Sequence, residues 1–109
     1  MAFRVLILKS AENDLKELKA YVSKKFSVET WGATYAKLKE SIRNLQEFPQ
    51  AGVIPEELEK LSLTQFRQVL SGMNRIIYEV RQDMIYIHMV VDARRDMRSL
   101  LTRRLLRVN

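Results

Sequence analysis

The sequence predicts an α+β fold: a helical hairpin laid on an antiparallel β-meander, with a basic helix at the end. Three observations carry this. Residues 63–96 hold three apolar, β-branched runs separated by very short breaks, at Ser71-Gly72 and at Arg81-Gln82-Asp83, which is the pattern of two tight hairpins. Before them, two segments repeat apolar residues at spacings of three and four, the signature of amphipathic helices. After them, residues 94–109 carry Arg94, Arg95, Arg98, Arg103, Arg104 and Arg107 against the single Asp96, a net +5 out of +6 for the chain. Helices grouped on one side of an antiparallel sheet give the α+β arrangement.

Taken in order, residues 3–8 form a first strand. It is apolar at almost every position, so both of its faces are expected to be covered. Ser10 is the expected N-cap of a helix over 11–26, with Glu12 and Asp14 at its positive end and a stripe of Ala11, Leu15, Leu18, Val22 and Phe26. Ser27 is a second N-cap. The helix it starts, over 28–48, carries Val28, Trp31, Tyr35, Leu38, Ile42, Leu45 and Phe48 at helical spacing. Pro49 stops it, because the residue before proline avoids helical angles. Trp31 and Tyr35 lie on that stripe and are read as core residues rather than as a base-stacking platform. Pro55 opens a short helix over 55–61. Strands follow at 63–70, 75–81 and 84–91. In the second of them Ile76, Tyr78 and Val80 share one face, and Arg75, Ile77, Glu79 and Arg81 the other. The third is apolar on both parities and reads as a central strand. An amphipathic helix over 94–106 closes the chain, with Met97, Leu100, Leu101 and Leu105 on its apolar side.

Composition narrows the function. At 109 residues the chain is expected to be one domain with one core. No apolar run reaches the ~20 residues that cross a bilayer, and the first eight residues lack the features of a signal peptide. There is no cysteine, hence no disulfide framework or thiolate chemistry, which fits a reducing cytoplasm. With three glycines there is no phosphate loop. With one histidine and no cysteine the common zinc ligand sets are missing, and no metal or cofactor is expected. The concentration of arginine at the end points to an anionic partner, nucleic acid or an acidic protein segment.

Arg67, Arg75 and Arg95 sit on or just past neighbouring strands, where they can converge and hold a phosphodiester. Cleavage of RNA through its 2′-hydroxyl also needs a base and an acid, for which Glu79, Tyr86, His88 and Asp92 are the candidates. His88 itself is read first as a core or sheet-surface histidine.

Three segments are similar to a known family. They are Ala11-Glu12-Asn13-Asp14-Leu15, then Phe48-Pro49-Gln50-Ala51-Gly52, and third Phe66-Arg67-Gln68-Val69 with Asn74-Arg75-Ile76-Ile77-Tyr78 and Val90-Val91-Asp92-Ala93-Arg94-Arg95-Asp96. Together they resemble the RelE/ParE superfamily of bacterial type II toxins, also labelled plasmid-stabilisation proteins. The resemblance implies a cytoplasmic toxin that forms a hetero-oligomer with a cognate antitoxin encoded next to it. RelE-like members cleave mRNA on the ribosome; ParE-like members poison DNA gyrase. Arg67, Arg75 and Arg95 match three basic positions of the RelE-like nucleases. A fourth basic position falls on Val69, and the C-terminal tyrosine position on Leu101. Those two departures, with the helical hairpin, Arg94-Arg95-Asp96 and the long tail, point to ParE-like gyrase inhibition rather than mRNA cleavage. One departure runs the other way: Asp92 stands where ParE-like members often have histidine. Arg94, Arg95, Arg98, Arg103, Arg104 and Arg107 are then the expected contact surface for target or antitoxin. The antitoxin is expected to offer an acidic, partly disordered segment that folds on binding, on the sheet or the hairpin.

Overall fold

The computed structural model describes residues 2–105, without the side chains of Met97, Leu101, Thr102 and Leu105. The elements run β1 (Arg4–Ile7), α1 (Lys9–Lys25), α2 (Val28–Glu47), α3 (Glu56–Glu59), β2 (Phe66–Ser71), β3 (Asn74–Arg81), β4 (Met84–Asp92) and α4 (Met97–Leu105). The four strands make one sheet in the order β1-β4-β3-β2. β2, β3 and β4 form the expected antiparallel meander, and β1 lies parallel to β4 at one edge, so the sheet is mixed. Two-residue loops join the meander, Gly72-Met73 and Gln82-Asp83. Within each loop only the first residue has positive φ, +59° at Gly72 and +55° at Gln82, the side of φ that hairpin turns require.

The sheet is covered unevenly. On one face α1 and α2 bury Ala11, Leu38 and Leu45 against Ile76, Tyr78, Ile85, Ile87 and Val90. On the other, α3 and α4 bring Leu58 and Leu100 onto Phe66, Ile77, Met89 and Val91. β4 therefore supplies both cores, as a central strand must. A β-bulge makes this possible. Ile77 pairs with Met89 and Tyr78 with Ile87, so His88 is the extra residue, and beyond it the alternation of β4 reverses. Val90 thus reaches the helical face, where simple alternation from His88 would put it on the other.

Several local expectations are corrected. Ser10 is not the N-cap of α1: the helix starts at Lys9, Leu8 holds the cap position without a side-chain bond, and the Ser10 hydroxyl donates to the His88 carbonyl at 3.1 Å. The cause is that β1 runs almost straight into α1, since the Leu8 amide still bonds Ile87 O at 3.1 Å. Ser27 caps α2 as expected, its Oγ accepting from the Thr30 amide at 3.0 Å. β1 is an edge strand with Arg4 and Leu6 exposed, not one covered on both faces. Residues 63–65 precede β2 as a turn, although Leu63 still packs under the second core. α4 begins three residues later than expected, and Asp96 precedes it, accepting from the Ser99 hydroxyl at 3.1 Å. Its expected last residue, Leu106, lies outside the described residues, as do the side chains of Met97, Leu101 and Leu105.

The stripe on α2 also outruns the core it serves. Leu38 and Leu45 are buried, but Val28, Tyr35 and Phe48 are exposed. Trp31 is half-buried and stacks on Tyr35 at 5.4 Å between ring centroids, with Lys39 Nζ 4.9 Å from the Tyr35 ring. The core reading of this pair is therefore half right: the two rings pack on each other, with Trp31 half-buried and Tyr35 exposed, outside the buried clusters.

Candidate functional site

The three arginines expected to converge do not. Val69 and Arg67 stand opposite Ile76 and Tyr78, so Arg67 belongs to the helical face. Its Nη1 donates to the Gly52 carbonyl at 2.8 Å. There it braces the Pro49–Gly52 turn together with Tyr78, whose hydroxyl donates to Pro49 O at 2.8 Å and accepts from the Gly52 amide at 2.9 Å. A Cβ on Gly52 would sit 2.6 Å from both Gln68 O and the Tyr78 hydroxyl, so only glycine fits. Arg75 belongs to the second face and is itself buried. Its Nε donates to Gln68 Oε1 at 2.7 Å, and Nη1 and Nη2 grip Glu57 at 3.1 and 3.0 Å. This bidentate pair ties α3 to the sheet. The Arg75 hydrogen bond, acting against burial, holds the Glu57 carboxyl below its usual pKa. Arg95 is exposed on the turn after β4. Val69, at the fourth basic position of the nuclease pattern, packs partly buried against the first core. The Leu101 side chain is outside the described residues.

The C-terminal arginines divide in the same way. Arg104 turns inward. Its Nη1 and Nη2 bind the Asp14 carboxylate at 2.9 and 3.1 Å, and Nη2 also reaches His88 O at 3.2 Å. Asp14 in turn accepts from the Val90 amide at 3.0 Å, so one carboxylate joins α1, α4 and the strand beyond the bulge. Arg94 folds back onto Asp92, with bonds of 2.9 and 2.6 Å. Its hydrogen bond is the main cause that keeps Asp92 below its ordinary pKa. Arg94, Arg95, Arg98 and Arg103 are exposed, and Arg107 lies outside the described residues. The roles of Asp14 and Arg104 were missed by sequence reasoning. The available signal was an acid at position 14 inside the apolar stripe of α1; its partner is 90 residues away.

Of the four acid–base candidates, three meet. His88 Nε2 lies 3.0 Å from Glu79 Oε1, and Arg81 Nη2 is 3.0 Å from the same oxygen. The Arg81 guanidinium stands 4.8 Å over the Tyr86 ring, and Phe66 meets the His88 ring edge-on at 5.0 Å. Burial lowers the His88 pKa despite the opposing pull of Glu79, so the imidazole is mostly neutral at pH 7. Burial alone would raise Glu79; the hydrogen bonds from Arg81 and His88 outweigh it and keep the carboxyl lowered. Asp92, the fourth candidate, is engaged with Arg94 at the end of β4. Among the described residues no group of three or more His, Cys, Asp or Glu is placed to hold a metal ion.

A concavity lies elsewhere, as a groove along α1. One section, of about 410 Å³, runs between Leu18 and Tyr21 on α1 and the end of β4 with Arg94 and Arg95. A second, of about 290 Å³, shares Leu18, Tyr21, Asp92 and Arg94 and continues to Met73, Phe26 and Lys37.

The model of the ParE toxin of type II toxin-antitoxin systems, parDE, matches residues 5–97. The chain belongs to the ParE toxin family. The ParE match ends where α4 begins. No curated protein matches the chain. Among solved structures, the chain resembles a chromosomal ParDE system from P. aeruginosa, with a TM-score of 0.69 at 15% identity over 84% of this chain and 96% of that one. It resembles the RelBE2 toxin-antitoxin complex of Mycobacterium tuberculosis with a TM-score of 0.57 at 15% identity, over 84% of this chain and 99% of that one. A mutant of the E. coli toxin RelE in its free state gives a TM-score of 0.62 at 15% identity over 100% of both chains. The α+β fold of this ParE-family chain is thus the fold of the ParE and RelE toxins, and the chain is a type II toxin of that superfamily.

Proposed function

We propose that this ParE-family chain acts by binding, as an inhibitor of DNA gyrase in the bacterial cytoplasm, and is silenced by a cognate antitoxin. The observation that carries the reading is the fate of the arginines. Arg67 and Arg75 belong to opposite faces of the sheet and are spent on the protein's own backbone and on Glu57, so they do not assemble a phosphodiester site. Arg95 and Arg103 are exposed on the segment after β4, which suits the recognition of an anionic surface. Among the described residues no helix is long and apolar enough to cross a membrane. The test is supercoiling by purified gyrase with the toxin added: the reading expects inhibition with accumulation of cleaved DNA. Unimpaired supercoiling at stoichiometric excess sinks it.

A second reading, ribosome-dependent mRNA cleavage, is favoured by one observation: Glu79, Tyr86 and His88 do meet, with Arg81 beside them. A neutral imidazole that donates Nε2–H to Glu79 keeps its other nitrogen as a base. Under this reading the wild type leaves gyrase supercoiling unimpaired, and His88→Gln abolishes cleavage of mRNA on programmed ribosomes.

A further inference from the structure

We propose that the margin where the end of α2 meets β2 is an interface between two copies of this chain, related by a two-fold axis. The occupant of this surface is a second toxin, not an antitoxin and not a target.

The surface is apolar, and its footing is fixed. Phe48 is 64% exposed, Leu70 63% and Val53 62%. Phe48 and Leu70 line a slot of about 420 Å³, with Ser41 and Asn44 of α2 on one side and Val69 of β2 on the other. Val53 borders the same edge, since it pairs with Gln68, two residues before Leu70. Large apolar side chains left open to water beside a concavity mark a surface that a partner covers. Phe48 ends α2, and its carbonyl accepts from the Ala51 amide at 3.0 Å. The turn that follows is held by the Tyr78 hydroxyl and by Arg67, which donate to Pro49 O and Gly52 O at 2.8 Å each. A projection held in this way loses little freedom when it is covered.

Charge then chooses the occupant. No residue lining this slot is charged, whereas Asp14, Glu17, Arg94 and Arg95 line the groove along α1. An acidic segment or a nucleic acid finds no cation in the slot to pair with. A second copy is the partner for which the lack of charge matters most, because each copy brings the same net +6 to the contact. The shape agrees. A two-fold interface joins one patch to itself, so the patch must offer both a projection and a recess. Here two large side chains stand at the walls of a recess, and each copy's projections can fill the other's. The Val53–Gln68 bridge, with bonds of 2.7 and 3.1 Å, occupies the backbone of β2 at that point. The contact is therefore made by side chains rather than by strand addition.

The test is sedimentation equilibrium of the free, full-length toxin from about 1 to 100 μM, the range of a small side-chain interface. The wild type is expected to be a dimer at the upper end. Phe48→Glu and Leu70→Glu are each expected to weaken the dimer by about 100-fold or more. Tyr21→Glu, at a side chain 51% exposed in the groove along α1, is expected to weaken it less than about threefold. Unchanged melting temperatures of the free variants confirm folding. Because the two copies carry like charge, added salt is expected to tighten the dimer, the reverse of an association built on ion pairs. The chain has no cysteine, so Asn44→Cys is expected to cross-link to its own copy through a short bismaleimide, and Tyr21→Cys is not. A wild type that stays monomeric throughout that range overturns the proposal. So does a dimer that survives Phe48→Glu and Leu70→Glu, or one that salt dissolves. If those variants keep the dimer but lose the antitoxin or gyrase, the surface belongs to that partner and the assignment is wrong.

Discussion

The two faces of the sheet are built by different physics. Under α1 and α2 the core is continuous and apolar, and the Tyr78 hydroxyl buried beside it has two backbone partners. On the opposite face the apolar cluster is smaller, and polar pairs surround it: the ion pairs of Arg75 with Glu57 and Arg81 with Glu79, and the hydrogen bond between His88 and Glu79. Arg104 with Asp14 fastens α4, the helix that closes this face, to α1. The helical face is held mainly by buried apolar area, which depends little on pH. The second is held partly by paired charges, which depend on it. This is also why arginine content misleads when read as a binding signal. Several arginines of this chain are the fasteners of a face with too little apolar surface of its own.

The contrast is broken most severely on the helical face. Leu38→Ala removes a side chain that is 1% exposed, packed between α2 and the sheet. The expected cost is about 2–5 kcal/mol of unfolding free energy, measured by urea denaturation. A smaller effect is expected from Arg75→Met, which leaves the Glu57 carboxylate, 27% exposed, without its fork-shaped partner. Because Glu57 can turn to water, a loss of about 1–3 kcal/mol is expected, and it should shrink in the double variant with Glu57→Leu. A double-mutant cycle reads that coupling.

The pH dependence sharpens the same comparison. His88, Glu57, Glu79 and Asp92 all have folded pKa values below their ordinary ones of 6.5, 4.5, 4.5 and 3.8. In each case the unfolded chain binds protons more readily, so stability falls as pH falls. The loss begins below about 6.5, where His88 must charge in its buried position, and deepens below about 4.5 as the carboxylates protonate. Tyr78, on the helical face, is shifted the other way: burial raises it above 10.0. Its contribution is complete below that pH and is lost as pH rises through the folded value. Thermal melts are therefore expected to show an acid limb to which His88, Glu57 and Glu79 contribute from the second face and Asp92 from the end of β4. His88→Gln removes the decline between pH 7 and 5 and spares the part below it.

Much of the architecture was legible in the residues. The three β-branched runs with very short breaks gave the meander, and Ser27 with the three-and-four spacing gave α2. What was not legible has physical causes. A strand's alternation can be read from sequence only while it stays regular; the bulge at His88 swaps the faces of everything after it, and no residue there announces it. A stripe of apolar residues shows which side of a helix is buried but not how much of its length meets the sheet, so Val28 and Tyr35 were placed in a core that ends before them. Arg104 and Asp14 are far apart in the chain, and spacing carries no signal for such pairs. The arginine cluster was legible as charge, but which members point inward depends on whether a carboxylate such as Glu57 or Asp14 is packed alongside.

The separation of fastening from binding arginines has one direct measurement, gyrase inhibition by two double variants of the full-length toxin. Arg75→Met with Glu57→Leu replaces an internal pair by apolar side chains. Arg95→Ala with Arg103→Ala strips exposed cations and touches no core residue. The account predicts that the first, once shown to be folded, inhibits supercoiling like the wild type, and that the second loses at least tenfold in potency. Full potency in the second with none in the first would contradict it, and would return Arg75 to the functional site.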